Sequence, residues 1–278
     1  MTAYVASLAM YDGGELSAAN DALWEAVARR LIDYGLDGVP ARLDRALSPS
    51  DAWEDERLIF GQTCGYPFAA RLSERLRLVG TPDYDVPGCA RGQHRSFVIV
   101  HARSRLRGLR ELRGSRAALN DRESMSGRHL LGDAIAALEE PPGFFASVVT
   151  SGSHARSVAM VAGGAADVAA VDCVSYHHLT RSHPEAVAET RIIARTRPTP
   201  CLPFVIATAC GEVTASLVAR ALREAVLDPR TEDARRVLGL ARILSVRQAA
   251  YERSLIVAAR ADATFRRAAR GAKHALAR

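Results

Sequence analysis

Over the first third of the chain, short apolar runs alternate with stretches that carry apolar residues at helical spacing. The short runs predict strands at Ala3–Met10, Gly38–Leu43, Leu58–Thr63 and Leu78–Thr81. The helical spacing predicts helices at Ala18–Leu31, near Trp53 and at Phe68–Leu76. Strand and helix in alternation call for a mostly parallel sheet covered by helices.

The loop Thr81–Gln93 is rich in Pro, Gly and Asp, which predicts a crossing into a second lobe that starts with the strand Phe97–His101. Residues 108–188 repeat the alternation, and Arg191–Thr196 reads as a strand. The run Arg197-Pro198-Thr199-Pro200-Cys201-Leu202-Pro203 interrupts regular pairing, because proline has no N–H to give to a ladder, and predicts a second crossing back. After Leu202–Ala209 the remainder reads as helical, from Glu212 to Leu227 and from Thr231 to the C-terminal region. The expected division is therefore residues 1–94 plus 198–278 as lobe 1 and residues 95–197 as lobe 2.

Three strand-to-helix turns of the second lobe carry the chemistry. In Asn120-Asp121-Arg122-Glu123-Ser124-Met125-Ser126-Gly127 an apolar strand (Arg116–Leu119) runs into a hydroxyl-rich turn and a helix pattern (Arg128–Leu138). The first N–H groups of a helix have no internal acceptor and its dipole makes that end positive, so Ser124, Ser126 and the N–H of Gly127 can hold an anion. The alternative is that a serine caps its own helix. The second turn is Val148-Val149-Thr150-Ser151-Gly152-Ser153-His154, where His154 either donates to a ligand oxygen from a helix start or faces solvent. The third, Ala169-Ala170-Val171-Asp172-Cys173, offers Asp172 as a partner for a ligand ammonium or a pocket hydroxyl, or as an N-cap for a helix starting near Val174. Successive turns of an open parallel sheet line one edge, so the three are expected to face one ligand. Ser153 and His154 are neighbours whose side chains diverge, which is poor geometry for a nucleophile and its base.

Composition narrows the function classes. With 278 residues the chain has room for two cores, and 48% hydrophobic against 24% charged residues is a soluble globular balance. No apolar run reaches membrane-spanning length. The formal charge of +6 reflects 37 basic and 31 acidic residues, with Lys273 the sole lysine. The basic excess at Arg103–Arg116 and around Arg266, Arg267 and Arg270 has no interleaved aromatics and no nucleic-acid-binding motif, so a solvated face is expected and no nucleic-acid partner. A single lysine leaves no Walker A loop, and His-Glu-x-x-His, Gly-x-Ser-x-Gly and Gly-x-Gly-x-x-Gly are missing. His177, His178 and His183 lack a completing carboxylate or cysteine for metal, and the five cysteines, an odd number without Cys-x-x-Cys spacing, read as buried thiols. The first residues show no signal-peptide pattern, so either such a segment has been removed or the protein is cytoplasmic, and Met1 favours the latter.

Five segments in order, Gly61-Gln62-Thr63-Cys64-Gly65-Tyr66-Pro67, Ser96–Val100, the Asn120–Gly127 turn, Ser151-Gly152-Ser153-His154 and Ala165–Asp172, resemble the phosphate/phosphite/phosphonate substrate-binding proteins of ABC transporters over about residues 2–208. Arg122 stands where that family usually has proline and Met125 where it has Thr or Gln, so the ligand itself is left open. The resemblance implies an α/β, two-lobe type II periplasmic-binding-protein fold with two interdomain crossings. It implies a small oxyanion clamped between the lobes by Tyr11, Thr63, Tyr66, Ser124, Met125, Ser126, Gly127, Ser153, His154 and Asp172. Tyr11 and Tyr66, after strands of lobe 1, either close over the ligand or pack in the core. No catalytic residue, metal or cofactor is implied. The expected partners are a small anionic ligand and an ABC transporter permease, the protein is expected to be a monomer, and the expected location is the periplasm. The alternative is a cytoplasmic sensor or enzyme on the same fold.

Overall fold

The structure, a computed structural model, describes residues 4–140 and 143–275, except for the side chains of residues 263 and 266–275. The expected strand start at Ala3 and the arginines at 266, 267 and 270 lie outside those limits. The chain forms two compact units, one of Met1–Asp85, Cys89–Gln93 and Pro200–Glu252, the other of Val86–Gly88, His94–Thr199 and Arg253–Arg278.

In chain order the first unit opens with β1 (Val5–Ser7), α1 (Glu15–Asp33), α2 (Pro49–Glu54), β2 (Leu58–Gln62), α3 (Gly65–Pro67) and β3 (Leu76–Tyr84). Next come β4 (Gln93–His94), β5 (Ser96–His101), β6 (Arg116–Leu119), α4 (Leu130–Ala136), β7 (Ser147–Thr150), α5 (His154–Ala162), β8 (Val168–Asp172), α6 (Cys173–Ser182), α7 (Pro184–Ala188) and β9 (Thr190–Arg195). The return supplies β10 (Thr199–Pro200), β11 (Phe204–Ala207), α8 (Glu212–Leu227), α9 (Glu232–Leu238), β12 (Leu240–Leu244) and α10 (Ala249–Ala275). Strands β4 and β10 pair with each other where the chain passes between units.

The first unit holds a five-stranded sheet in the order β1-β2-β11-β3-β12. β2 is buried along its whole length, as a strand covered on both faces must be. Trp24 of α1 stacks on Phe60 at 5.4 Å, and Phe60 stacks on Phe204 at 5.4 Å, so α1 is fixed to the sheet by aromatic overlap. The sheet is mixed rather than mostly parallel. Only β1 and β2 run parallel, because the returning strand β11 inserts antiparallel between β2 and β3, with Val205 opposite Gly61 on one side and Leu78 on the other.

Four further expectations are corrected in this unit. Gly38–Leu43 is no strand: Tyr4 N donates to Gly38 O and Asp44 N to Ala6 O, but Pro40 interrupts the ladder, and its carbonyl takes the Trp24 indole N–H instead. The helix expected at Phe68–Leu76 is present only as the π-helical stretch Phe68–Leu72, which continues from α3, and Leu76 already opens β3. β3 extends through Thr81 to Tyr84, which shortens the predicted loop. Leu240–Leu244 is strand β12 and not helix: Gly239, left-handed at φ 66°, stops α9, and the chain then pairs antiparallel with β3.

The second unit holds the sheet β7-β6-β8-β5-β9. β6 runs parallel to β7 and to β8, whereas β5 is antiparallel to β8 and β9. Val98, Val100, Ala117, Leu119, Val168 and Ala170 bury one sheet face against Leu131 and Ile135 of α4, Phe144, Phe145 and Phe265.

Phe265 shows why α10 does not belong wholly to lobe 1. The helix divides, staying with the first unit to Glu252 and with the second from Arg253. Tyr251 is buried in the first core, its hydroxyl 2.9 Å from Thr81 Oγ1 and donating to Cys201 O at 2.8 Å. Beyond Arg253, the Asp133 carboxylate of α4 lies 3.2 Å from Arg260 Nε and 3.1 Å from Arg197 Nε, and Thr264 Oγ1 donates to Gly132 O at 3.2 Å. The chain thus passes between units within α10, which the two expected crossings did not include.

This close contact of α4 and α10 requires Gly132, where a Cβ would lie 2.6 Å from Ala261 Cβ and 2.9 Å from Ala261 Cα. Gly132→Ala is expected to cost about 1–3 kcal/mol through overpacking, despite alanine's better helix propensity. Urea unfolding measures it, and an unchanged or raised stability would show that the two helices do not meet this closely.

Candidate functional site

The turn after β6 is a wide helical entrance rather than a standard first turn. Ser124 accepts at its carbonyl from both Arg128 N (3.2 Å) and His129 N (3.1 Å), and the second of these bonds marks the π-turn Met125–His129 that runs directly into α4. Ser124 Oγ caps the turn by accepting from Gly127 N at 2.9 Å. The Gly127 N–H expected for an anion is therefore held by Ser124, whose own O–H stays available as a donor. Ser124 and Ser126 are 6% and 5% exposed, with their Oγ atoms 3.4 Å apart. Ser96, at the start of β5, donates to Ser126 O at 2.8 Å and fixes the turn from the sheet. Met125 is buried in the same turn.

The turn after β7 joins this one directly. Gly152 takes φ +92°, and its N–H reaches Asn120 O at 3.0 Å, while Ser151 N reaches Leu119 O at 2.7 Å. Ser153 caps α5 by accepting from Arg156 N at 3.1 Å. His154, the first residue of α5, places Nε2 3.0 Å from Ser126 Oγ, so it reaches the serine turn through that hydroxyl. Its Nδ1 is buried and has no hydrogen-bond partner. Burial, aided by the nearby charge of His94 and opposed by Asp172, lowers the His154 pKa to about 4, so the ring is neutral at pH 7.

The turn after β8 supplies a buried carboxylate with a histidine partner. Asp172 caps α6, accepting from Val174 N (3.4 Å), Ser175 N (3.2 Å) and Ser175 Oγ (3.2 Å), and its Oδ1 lies 2.7 Å from His94 Nδ1. Both side chains are essentially inaccessible, at 2% and 1%. Burial alone would strip the proton from His94, yet the charge and hydrogen bond of Asp172 outweigh it and raise its pKa. Asp172 is thus an N-cap and a partner for His94.

The second unit therefore brings together Ser124, Met125, Ser126, Gly127, Ser153, His154 and Asp172. Tyr11, Thr63 and Tyr66 belong to the first unit. Tyr11 ends a 3₁₀ turn after β1 with its ring edge-on to Tyr84 at 5.9 Å, and its carbonyl accepts from Asn20 Nδ2 at 2.7 Å. Thr63 is fully buried, its N–H bonded to Pro203 O and its hydroxyl to Cys64 O. Tyr66 lies half-buried in α3. Sequence reasoning missed His94: it precedes β5 without a local motif, and only the pairing of β5 with β8 places it beside Asp172. Among the described residues no group of three His, Cys, Asp or Glu could hold a metal ion.

Burial also lowers the pKa values of His129 and His178 to about 4. A histidine depressed in the folded state binds its proton later than in the unfolded chain, so its contribution to stability is complete above about pH 6.5 and is lost as pH falls towards 4. His154, His129 and His178 together are expected to lower stability on acidification by about 1.4 kcal/mol per pH unit each within that window. His94 has the opposite sign, losing its contribution as pH rises through its elevated pKa. Chemical unfolding at stepped pH values checks this, and a stability that holds flat from pH 6.5 to 4.5 would mean these histidines are hydrated in the native state.

No curated protein sequence matches the chain. Among solved structures, PhnD1 from Prochlorococcus marinus in complex with methylphosphonate shares 16% identity with it, covering 91% of this chain and 96% of that one at a TM-score of 0.72. XAC2383 from Xanthomonas citri bound to chloride ion shares 18% identity over 94% of this chain and 98% of that one, at 0.71. A binding protein component of an ABC phosphonate transporter from Pseudomonas aeruginosa shares 16%, over 98% and 94%, at 0.70. At such identities the likeness is one of fold, that of the type II periplasmic binding proteins. The family model for the ABC transporter, phosphonate, periplasmic substrate-binding protein matches residues 61–251, a span that starts in the last two residues of β2 and contains all three turns of the second unit. The chain belongs to this family of periplasmic substrate-binding proteins of phosphonate ABC transporters.

Proposed function

We propose that the chain binds a phosphate- or phosphonate-like oxyanion at the Ser124–Gly127 turn, releases it unchanged and delivers it to a transporter permease. The observation that carries this reading is the position of the Ser126 hydroxyl, which lies within reach of both Ser124 Oγ (3.4 Å) and His154 Nε2 (3.0 Å) at the mouth of a helical entrance. An anion oxygen needs donors. With the neutral His154 proton on Nε2, the imidazole donates to Ser126 Oγ, which leaves the Ser126 and Ser124 O–H groups for the ligand. The anion itself favours that arrangement of protons over its reverse.

The donors are neutral, and Asp172 is already paired with His94 at 2.7 Å. Binding then rests on hydrogen-bond geometry and the positive end of the helical run rather than on a formal counter-charge. Ser126 has a histidine neighbour, as a nucleophile would, but the ring lacks an orienting carboxylate on Nδ1, which makes no hydrogen bond. That arrangement supports binding without turnover. The ligand roles of Tyr11, Thr63 and Tyr66 are a separate part of the proposal that rests on the resemblance of Gly61–Pro67, and Tyr66→Ala tests it. A monomeric state and a periplasmic location complete the reading. No helix among the described residues is long and apolar enough to cross a membrane.

Ser126→Ala removes the hydroxyl at the centre of the network and is expected to weaken methylphosphonate or inorganic phosphate binding about tenfold or more, since a hydrogen bond to a charged group contributes about 1.5–3 kcal/mol. Titration calorimetry reads this directly, and equal affinity in the variant would remove the turn from the site. Methylphosphonate incubated with the protein should also be recovered intact by mass spectrometry, with conversion beyond one equivalent counting against a transport role.

A further inference from the structure

Gly127 lies between two side chains that leave no room for a Cβ. One built there would stand 1.7 Å from Asn120 Oδ1 and 3.3 Å from His154 Cε1. The Asn120 carboxamide therefore rests its oxygen against the Gly127 backbone, where the only partner is a polarised Cα–H. Oδ1 is buried and has no hydrogen-bond partner. Asn120 is itself fixed by its main chain, because its carbonyl accepts from Gly152 N at 3.0 Å and so ties the β6 turn to the β7 turn.

An amide is planar, so turning Oδ1 onto Gly127 turns Nδ2 away from it. Nδ2 makes no hydrogen bond among the described residues and is not one of the buried unsatisfied atoms, so it keeps access to solvent. A two-hydrogen donor with access to solvent thus stands one residue beyond β6, on a side chain whose oxygen lies against Gly127. Fixing a side chain this tightly gives a fold little in return when its oxygen makes no proper bond. It gives a ligand site a donor whose position needs no reordering on binding.

We propose that Asn120 is a ligand-binding residue of this protein: its Nδ2–H donates to an oxygen of the bound oxyanion, and residue 127 is glycine so that the carboxamide can take that position. This rests on the reading of the Ser124–Gly127 turn as the anion site. Asn120 adds a neutral donor from the strand end to the hydroxyl donors of the turn, so the oxyanion is approached from β6 as well as from the helical entrance. Substitution of Gly127 acts through Asn120: an added Cβ displaces the carboxamide, so Gly127→Ala is a positioning change rather than the loss of a ligand contact.

The test measures binding of inorganic phosphate and methanesulfonate by calorimetry at pH 7.5, for the wild type, Ser126→Ala, Asn120→Leu, Asn120→Asp and Gly127→Ala, with unfolding midpoints recorded for each. Asn120→Leu keeps the approximate shape without a donor and is expected to weaken both probes by a similar factor, about tenfold, as loss of one charge-assisted hydrogen bond requires. Asn120→Asp places a carboxylate against the ligand and is expected to weaken the doubly charged phosphate more than the singly charged methanesulfonate, by a further tenfold or so. Gly127→Ala is expected to weaken both. A purely structural asparagine gives a different pattern, in which Asn120→Leu lowers the unfolding midpoint and leaves the affinity of the folded protein unchanged. If Ser126→Ala loses binding while Asn120→Leu retains it, this inference is overturned and the anion turn stands. If the wild type binds neither probe, the anion reading fails and this inference fails with it.

Discussion

Parallel pairing of β6 with a strand on each side is the constraint on which the site depends. Ala117 and Ala118 stand opposite Val148 and Val149 of β7 and opposite Val168 and Ala169 of β8, so all three strands end at the same edge. Parallel strands are necessarily joined by crossover helices, and each crossover starts with a turn at that edge. Three turns, each capped by its own side chain, Ser124, Ser153 or Asp172, are thereby gathered at one edge, and hydrogen bonds join the first two directly. A register slip of β6 would reverse every side chain of the strand and separate the turns.

What gathers there is a set of polar groups with little formal charge exposed. Ser126 is held at its carbonyl by Ser96 and at its hydroxyl by His154, and the acid among the turns is paired with the buried ring of His94. Desolvation acts on both histidines: it outweighs the distant pull of Asp172 on His154 and lowers that pKa to about 4, whereas at His94 the direct Asp172 contact outweighs it and raises the pKa. Two histidines in one environment are set apart by a single carboxylate contact of 2.7 Å. An anion entering this environment meets hydroxyl donors in a site from which water is largely excluded, where each hydrogen bond is strengthened and each misplaced one is costly.

Much of this was legible in the sequence because turn chemistry is local. A strand that runs into Ser, Gly and Asp residues and then into helical spacing states where a strand edge is, and the caps at Ser124, Ser153 and Asp172 follow from residues within three positions of each helix start. The errors share a different origin. β11 inserts antiparallel in the first sheet, β12 joins its edge, and α10 divides at Arg253, and each is decided by partners more than a hundred residues away. The run Leu-Ala-Arg-Ile-Leu has the composition of a helix, and only Gly239 before it marks the break. His94 was invisible for the same reason, since its partner lies 78 residues later. The α10 split was written in a residue that carries no pattern at all, the missing side chain of Gly132.

A structure of the protein crystallised with methylphosphonate tests the central claim most directly. A phosphonate oxygen is expected within about 3 Å of Ser126 Oγ, with a second oxygen reached by Ser124 Oγ and the His154 ring still bonded to Ser126. A phosphonate bound elsewhere, with the Ser124–Gly127 turn holding only solvent, would contradict it.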